Sequence, residues 1–94
     1  MVSNMISMTE VIGYVAATLT TVSFLPQAIL TIKTRDTSSL SLSMYSIFTL
    51  GVFCWLIYGV YISDKAIIAA NAITFILSGI ILIYKIHNVL TKKN

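Results

Sequence analysis

Three apolar runs separated by short polar stretches set out this chain. The first covers about 11–32, a helix of about 33 Å at 1.5 Å per residue, against a hydrocarbon core of about 30 Å. The second and third cover about 44–62 and 66–86. Lys33-Thr34-Arg35-Asp36-Thr37-Ser38-Ser39 separates the first two runs. Only Ser63-Asp64-Lys65 separates the second from the third, so short a link that helices two and three must be antiparallel neighbours. Thr9 and Glu10 are the expected start of helix one, a capping hydroxyl followed by an acid suited to the positive helix end. The stretch from 85 to 94 reads as a basic, frayed tail.

The polar residues inside these runs are few and grouped. Helix one carries Phe24-Leu25-Pro26-Gln27. Pro26 removes one backbone hydrogen bond and crowds the carbonyl of Val22, four residues back. Gln27 adds donor and acceptor sites that lipid cannot satisfy. Both are tolerated at depth only where other helices or a watery cavity receive the freed polar groups. The pair is therefore expected to face helix three and a cavity. Thr20, Ser23, Phe24 and Gln27 share one face of this helix, with Thr18 and Thr21 on a neighbouring stripe.

Helix two carries Met44, Phe48, Gly51, Trp55, Tyr58 and Ile62 at helical spacing. Trp55 is seven residues from the end at Ile62, roughly 10 Å below it and deeper than anchoring tryptophans sit. Its indole N–H needs a partner there; packing and ligand contact both remain open. On helix three, Asn71, Thr74 and Ser78 share a face, with Asn71 about 8 Å from the outer end at Ala66. A membrane asparagine can simply join helices, worth about 0.6 to 2 kcal/mol. Beside an aromatic platform at similar depth it also suits a carbohydrate, whose ring faces stack and whose hydroxyls pair with an amide. Gly51, Gly59 and Gly79 are expected to mark close helix approach, with room for a ligand as the alternative at Gly51, one turn from Trp55 on the same face.

Composition agrees with the pattern. Of 94 residues, 57% are apolar and only 10% charged, against roughly 25% charged in a soluble domain. The chain is an all-α integral membrane protein forming one domain over 1–94. The first residues lack the positive start and cleavage site of a secretory signal, so the first span is expected to stay. Lys33, Arg35, Lys85, Lys92 and Lys93 fall on one side of the bilayer and Lys65 alone on the other. The positive-inside bias then places the N-terminus outside and the C-terminus in the cytoplasm.

Several functions are disfavoured. The charges form no basic patch interleaved with aromatics, which excludes nucleic acid as an expected partner. The lone Cys54 has no metal-ligand companions and is expected to be a small packing residue. His87 stands alone at the end of helix three. With no paired carboxylates or glycine-rich phosphate loop, neither an enzyme, a metal nor a cofactor is expected. No acidic residue lies deep within a span, so a proton-coupled carboxylate has no obvious carrier.

With these residues assembled, the chain resembles the bacterial SemiSWEET sugar transporters of the PQ-loop superfamily. The resemblance is carried by Phe24-Leu25-Pro26-Gln27, by Lys33-Thr34-Arg35-Asp36-Thr37 followed by Ser-Leu-Ser-Leu-Ser-Met-Tyr, by Gly51, Trp55 and Tyr58-Gly59, and by Ala70-Asn71. It implies a three-helix bundle in the spatial order 1-3-2, working as a parallel homodimer in the lipid bilayer. It also implies facilitated, bidirectional movement of a mono- or disaccharide by alternating access. Trp55 and Asn71 of both protomers would line the sugar site, and Pro26-Gln27 would be the hinge that moves the inner half of helix one. Tyr58 and Asp64 match the family's outer gate, but Ile62 stands where the family carries an arginine, which implies a weaker gate and a shift towards outward-open. Met44 is the expected inner constriction. Two other readings stay open: a carrier of another small solute such as an amino acid, and a non-transport interaction or pore protein.

Overall fold

A computed structural model describes residues 7–93, which form three α-helices: α1 (Met8–Thr34), α2 (Leu42–Tyr61) and α3 (Lys65–Leu90). All three are long and apolar enough to cross a membrane. α1 and α3 extend beyond the hydropathy boundaries by more than a turn in total, and α2 is shifted by one or two residues. Ser7, not Thr9, caps α1: its hydroxyl accepts from Glu10 N at 3.1 Å, and the Glu10 carboxylate accepts from Ser7 N at 3.2 Å. This reciprocal pair satisfies two amides that the helix leaves free. Ser41 caps α2, and Asp64 caps α3 by accepting from Ile67 N at 3.1 Å.

α3 lies between the other two helices, packing along both, while α1 and α2 make no close backbone approach among the described residues. The spatial order is therefore 1-3-2. The bundle is a single layer of helices, 57 × 24 × 15 Å across its Cα positions. In a lipid surround, helix association rests on close packing and hydrogen bonds rather than on escape from water. Gly59 supplies the tightest packing. A methyl group there would lie 2.7 Å from Ile67 Cγ2, so α2 and α3 approach closely just before their connecting turn. Gly51 and Gly79 do not share this role, since a Cβ at either would meet nothing within 4 Å.

The densest region is at the end that carries the α1–α2 loop. Ala28, Tyr45 and Ile81 form a buried cluster, backed by Phe24, Ile32, Leu40, Leu77 and Leu82. The rings of Phe24 and Phe48 meet at 6.4 Å and join α1 to α2 across the face of α3. Beneath them the loop is fastened to α3 by polar contacts. Lys85 Nζ donates to Thr37 O at 3.0 Å, and Asn88 Nδ2 donates to Arg35 O at 3.0 Å and to Thr37 Oγ1 at 2.9 Å. Lys85 is 6% exposed, Asn88 5% and Thr37 0%. The expected frayed tail is thus corrected: α3 runs on to Leu90, and its last turns hold the loop in place.

The loop is shaped for that docking. Arg35 takes a left-handed conformation, φ 55°, that ends α1 and sends its N–H back to Thr31 O at 2.8 Å. Its guanidinium lies 5.2 Å from the centre of the Tyr84 ring. Ser38 donates to the Asp36 carboxylate from its amide at 3.0 Å and its hydroxyl at 2.7 Å, which holds that carboxyl below its usual range. Asp36 is therefore committed to shaping the turn.

Candidate functional site

Asn71, Thr74, Ser78 and Lys85 fall within about 60° of one another around α3 at 100° per residue. Their direction is that of the crease between α1 and α2. Phe48, whose ring reaches across to Phe24, identifies which flank of α2 borders this crease. Met44, Gly51, Trp55 and Tyr58 continue the same flank by helical spacing. The opposite flank packs Phe53 on Phe75 of α3 at 5.2 Å. The aromatic stripe of α2 therefore forms one wall of the crease, and the polar stripe of α3 its floor.

Trp55 and Tyr58 stand in this wall edge to face, 5.5 Å apart at 84°. Both are well exposed, at 55% and 50%. Gly51 has no side chain to fill the space one turn away, and Gly51, Cys54, Trp55 and Tyr58 together line an open concavity of about 380 Å³. Among the described residues, nothing accepts a hydrogen bond from the Trp55 indole. Cys54 is exposed on this surface, contrary to the expected packing role, because it lies on the side of α2 turned from α3.

Asn71 is half-buried on the floor. Its Nδ2 donates to Ile67 O at 3.0 Å, one turn back on the same helix. That bond orients the amide and leaves its oxygen, and one N–H, without a protein partner among the described residues. Ser78 is fully buried, with its hydroxyl turned to Phe75 O at 3.4 Å. The floor thus offers hydrogen-bonding groups and the wall offers ring faces.

Pro26 and Gln27 are both exposed, and α1 stays helical through them. The residues turned to α3 are Ala28 and Thr31, both buried. Pro26 is about 160° from Ala28 around the helix, so it points away from α3. The expectation that the pair faces helix three is corrected accordingly, for Pro26 most clearly. Two hydroxyls on the Gln27 face of α1 close on their own helix instead: Thr20 donates to Ala16 O at 3.0 Å and Ser23 to Thr20 O at 2.9 Å. Such back-bonding satisfies a hydroxyl without a neighbouring helix.

The remaining positions are dispersed. Met44 is exposed at the loop end of the α2 stripe, and Ile62 is exposed at its other end. Asp64 is half-buried with its carboxylate at the head of α3, and Lys65 beside it forms no ion pair among the described residues. The buried Lys85 and Asn88 were not singled out by the sequence reading. The available signal was the polar stripe of α3, which continues past Ser78 at helical spacing into Lys85 and Asn88.

Comparison with known proteins agrees with this architecture. The family model for the PQ loop repeat matches residues 8–66. Sugar transporter SemiSWEET of Leptospira biflexa serovar Patoc is 51% identical over 79 residues, covering 84% of this chain and 93% of that protein. SemiSWEET of Bradyrhizobium diazoefficiens is 45% identical over 78 residues, covering 83% and 91%. A crystal structure of SemiSWEET in the inward-open conformation superposes with a TM-score of 0.84 at 39% identity, over 89% of this chain and 90% of that one. A bacterial homologue of SWEET transporters superposes with a TM-score of 0.71 at 34% identity, over 86% and 98%. The chain therefore belongs to the PQ-loop repeat family, among the SemiSWEET proteins, which are transporters rather than enzymes.

Proposed function

We propose that this chain carries a mono- or disaccharide across a bacterial inner membrane as a facilitative, bidirectional uniporter. The observation that carries the reading is the crease itself, in a chain of this family: exposed Trp55 and Tyr58 rings on one wall and the oriented Asn71 amide on the floor. Ring faces stack on the apolar face of a sugar, and the free amide groups pair with hydroxyls in directions that water alone does not impose. The absence of a charge among these crease residues disfavours an amino acid, whose two charged ends would need counter-charges at depth.

A working carrier on this plan is a parallel homodimer. A layer of helices 15 Å thick leaves its crease open along one side. A second copy, related by an axis along the membrane normal, encloses it and supplies a second Trp55 and Asn71, as parallel repeats do in other transporters. The charge distribution orients the dimer with its N-termini outside and the loop end in the cytoplasm.

Alternating access then requires the crease to close at either end. Tyr58 and Asp64 form the outer gate, with Ile62 removing a cation that would otherwise hold Asp64, so the outer mouth closes less firmly. Met44 narrows the inner end. Pro26-Gln27 is the hinge: with no N–H at Pro26, α1 bends there at lower cost than elsewhere. The half of α1 beyond Pro26 is fastened to α3 through Ala28, Thr31 and the Asn88 bond to Arg35 O. It therefore moves together with the loop end of α3, not alone. Counterflow in liposomes preloaded with a panel of sugars and amino acids tests the reading. Saturable, stereoselective exchange of a sugar is expected. Non-saturating flux would indicate a pore, and exchange confined to amino acids would reject the sugar assignment.

A further inference from the structure

On the face of α3 turned away from the crease, at the loop end, α1 and α3 enclose a concavity of about 490 Å³ whose lining includes Arg35, Ile83, Tyr84, His87 and Lys93. No acidic residue lines it. Asp36, the acid next to Arg35 in the chain, has its carboxylate already occupied by two hydrogen bonds from Ser38. Among the described residues Arg35 and Lys93 form no ion pair, and the Arg35 guanidinium makes no hydrogen bond. It is nevertheless held in place, because its face rests on Tyr84 and its backbone carbonyl is bonded to Asn88. A guanidinium positioned by an aromatic ring, with its N–H edge free, is prepared for a bidentate oxyanion.

Two helix C-termini meet here, and their bare carbonyls would repel an anion. The local caps reduce that effect. Arg35 N donates to Thr31 O, Thr91 N to His87 O and Lys93 N to Asn88 O. The surroundings identify the source of the anion. Ile76, Ile83 and Leu90 on the same back face of α3 are all exposed, as suits contact with acyl chains. The concavity lies where this apolar face meets the basic end of the bundle, and the basic end of a membrane span is where anionic headgroups are met. A free anion would use the cationic groups alone, whereas a lipid uses both the cations and the apolar face below them.

We propose that this concavity binds the phosphate of an anionic glycerophospholipid, with Arg35 as the anchor, Lys93 and His87 as further donors and Tyr84 as the platform. The site lies behind the crease and does not depend on the transport reading. By gripping Arg35, whose carbonyl is bonded to Asn88, a bound headgroup also strengthens the attachment of the α1–α2 loop to α3.

Native mass spectrometry of the full chain, released from micelles holding equimolar phosphatidylglycerol and phosphatidylcholine, tests this. The wild type is expected to retain phosphatidylglycerol in clear excess. Each cation removed in Arg35→Gln/Lys93→Gln should lower that excess by about fivefold, at roughly the attraction of one basic residue near an anionic surface. Lys33→Gln/Lys92→Gln removes the same charge from the same end but outside the concavity, and should keep the excess. Equal loss in both double variants would show general surface charge and overturn the site. Displacement of the lipid by millimolar inorganic phosphate would overturn the lipid in favour of a free anion. His87→Gln alters an exposed side chain and should give a smaller loss, which keeps the test available should the first variant fail to fold. An unchanged excess there and in Lys93→Gln alone would overturn the proposal.

Discussion

At the loop end of the bundle, Lys85, Asn88 and Thr37 are buried and bonded across α1, the loop and α3. At the level of Trp55 and Asn71, large side chains stand exposed, and among the described residues the polar groups either bond within their own helix or have no protein partner. Both regions put polar atoms inside a membrane protein. In the first, the buried donors Lys85 and Asn88 are matched within one copy of the chain. In the second, the groups are oriented but unmatched among the described residues, and the proposed second copy and solute would supply the missing partners. A buried lysine at one end and an exposed tryptophan at the other are thus two outcomes of one rule, that polar groups in lipid must find partners.

Breaking the fastened end should have the largest effect on stability. Asn88→Leu removes from a buried position the amide that donates to both Arg35 O and Thr37 Oγ1, at roughly 1–2 kcal/mol per lost bond. A loss of about 2–4 kcal/mol, read from unfolding in detergent by denaturant, is expected. A loss below about 0.5 kcal/mol would mean that the loop is not held by these bonds.

The glycines sharpen the same contrast. Gly59→Ala places a methyl against Ile67 and Ile68 and should cost about 1–3 kcal/mol. Gly51→Ala, in open space, should leave stability equal or raise it by about 0.5–1 kcal/mol, while reducing solute flux by narrowing the crease. Thermal unfolding of the two variants side by side checks both. Thr49→Val tests the rule from the opposite side. Thr49 Oγ1 is the one buried side-chain polar atom without a partner among the described residues. Removing it should stabilise the chain by about 1 kcal/mol, visible as a higher melting temperature.

Much of this was legible in the sequence. Hydropathy located the spans because membrane helices must be apolar over their whole length, and the short Ser63-Asp64-Lys65 link made α2 and α3 neighbours. The placing of α3 in the middle was not readable from periodicity, because a helix surrounded by lipid is apolar on all sides. That order came from the family resemblance and agrees with the packing. Ser7 was legible as the first residue of a Ser-x-x-Glu capping box, though Thr9 drew the attention as a hydroxyl next to an acid. Lys85 was misread because lysines near a span's end usually extend to water. Only the loop folding back over α3 turns it into a buried donor, and that contact joins residues far apart in the chain. Gly51 and Gly59 show a similar limit: identical residues on one helix, of which only the one facing α3 packs tightly.

The central claim is that the crease, rather than the fastened end, is where solute is recognised. Counterflow by Trp55→Ala and Asn71→Ala in liposomes, with equal insertion verified by orientation-specific labelling, tests it most directly. Each substitution is expected to reduce sugar exchange by tenfold or more, the loss of about 1.4 kcal/mol of solute interaction, while the unfolding midpoint stays within about 0.5 kcal/mol of wild type. Exchange within twofold of wild type in either variant would contradict the assignment of that residue to the site.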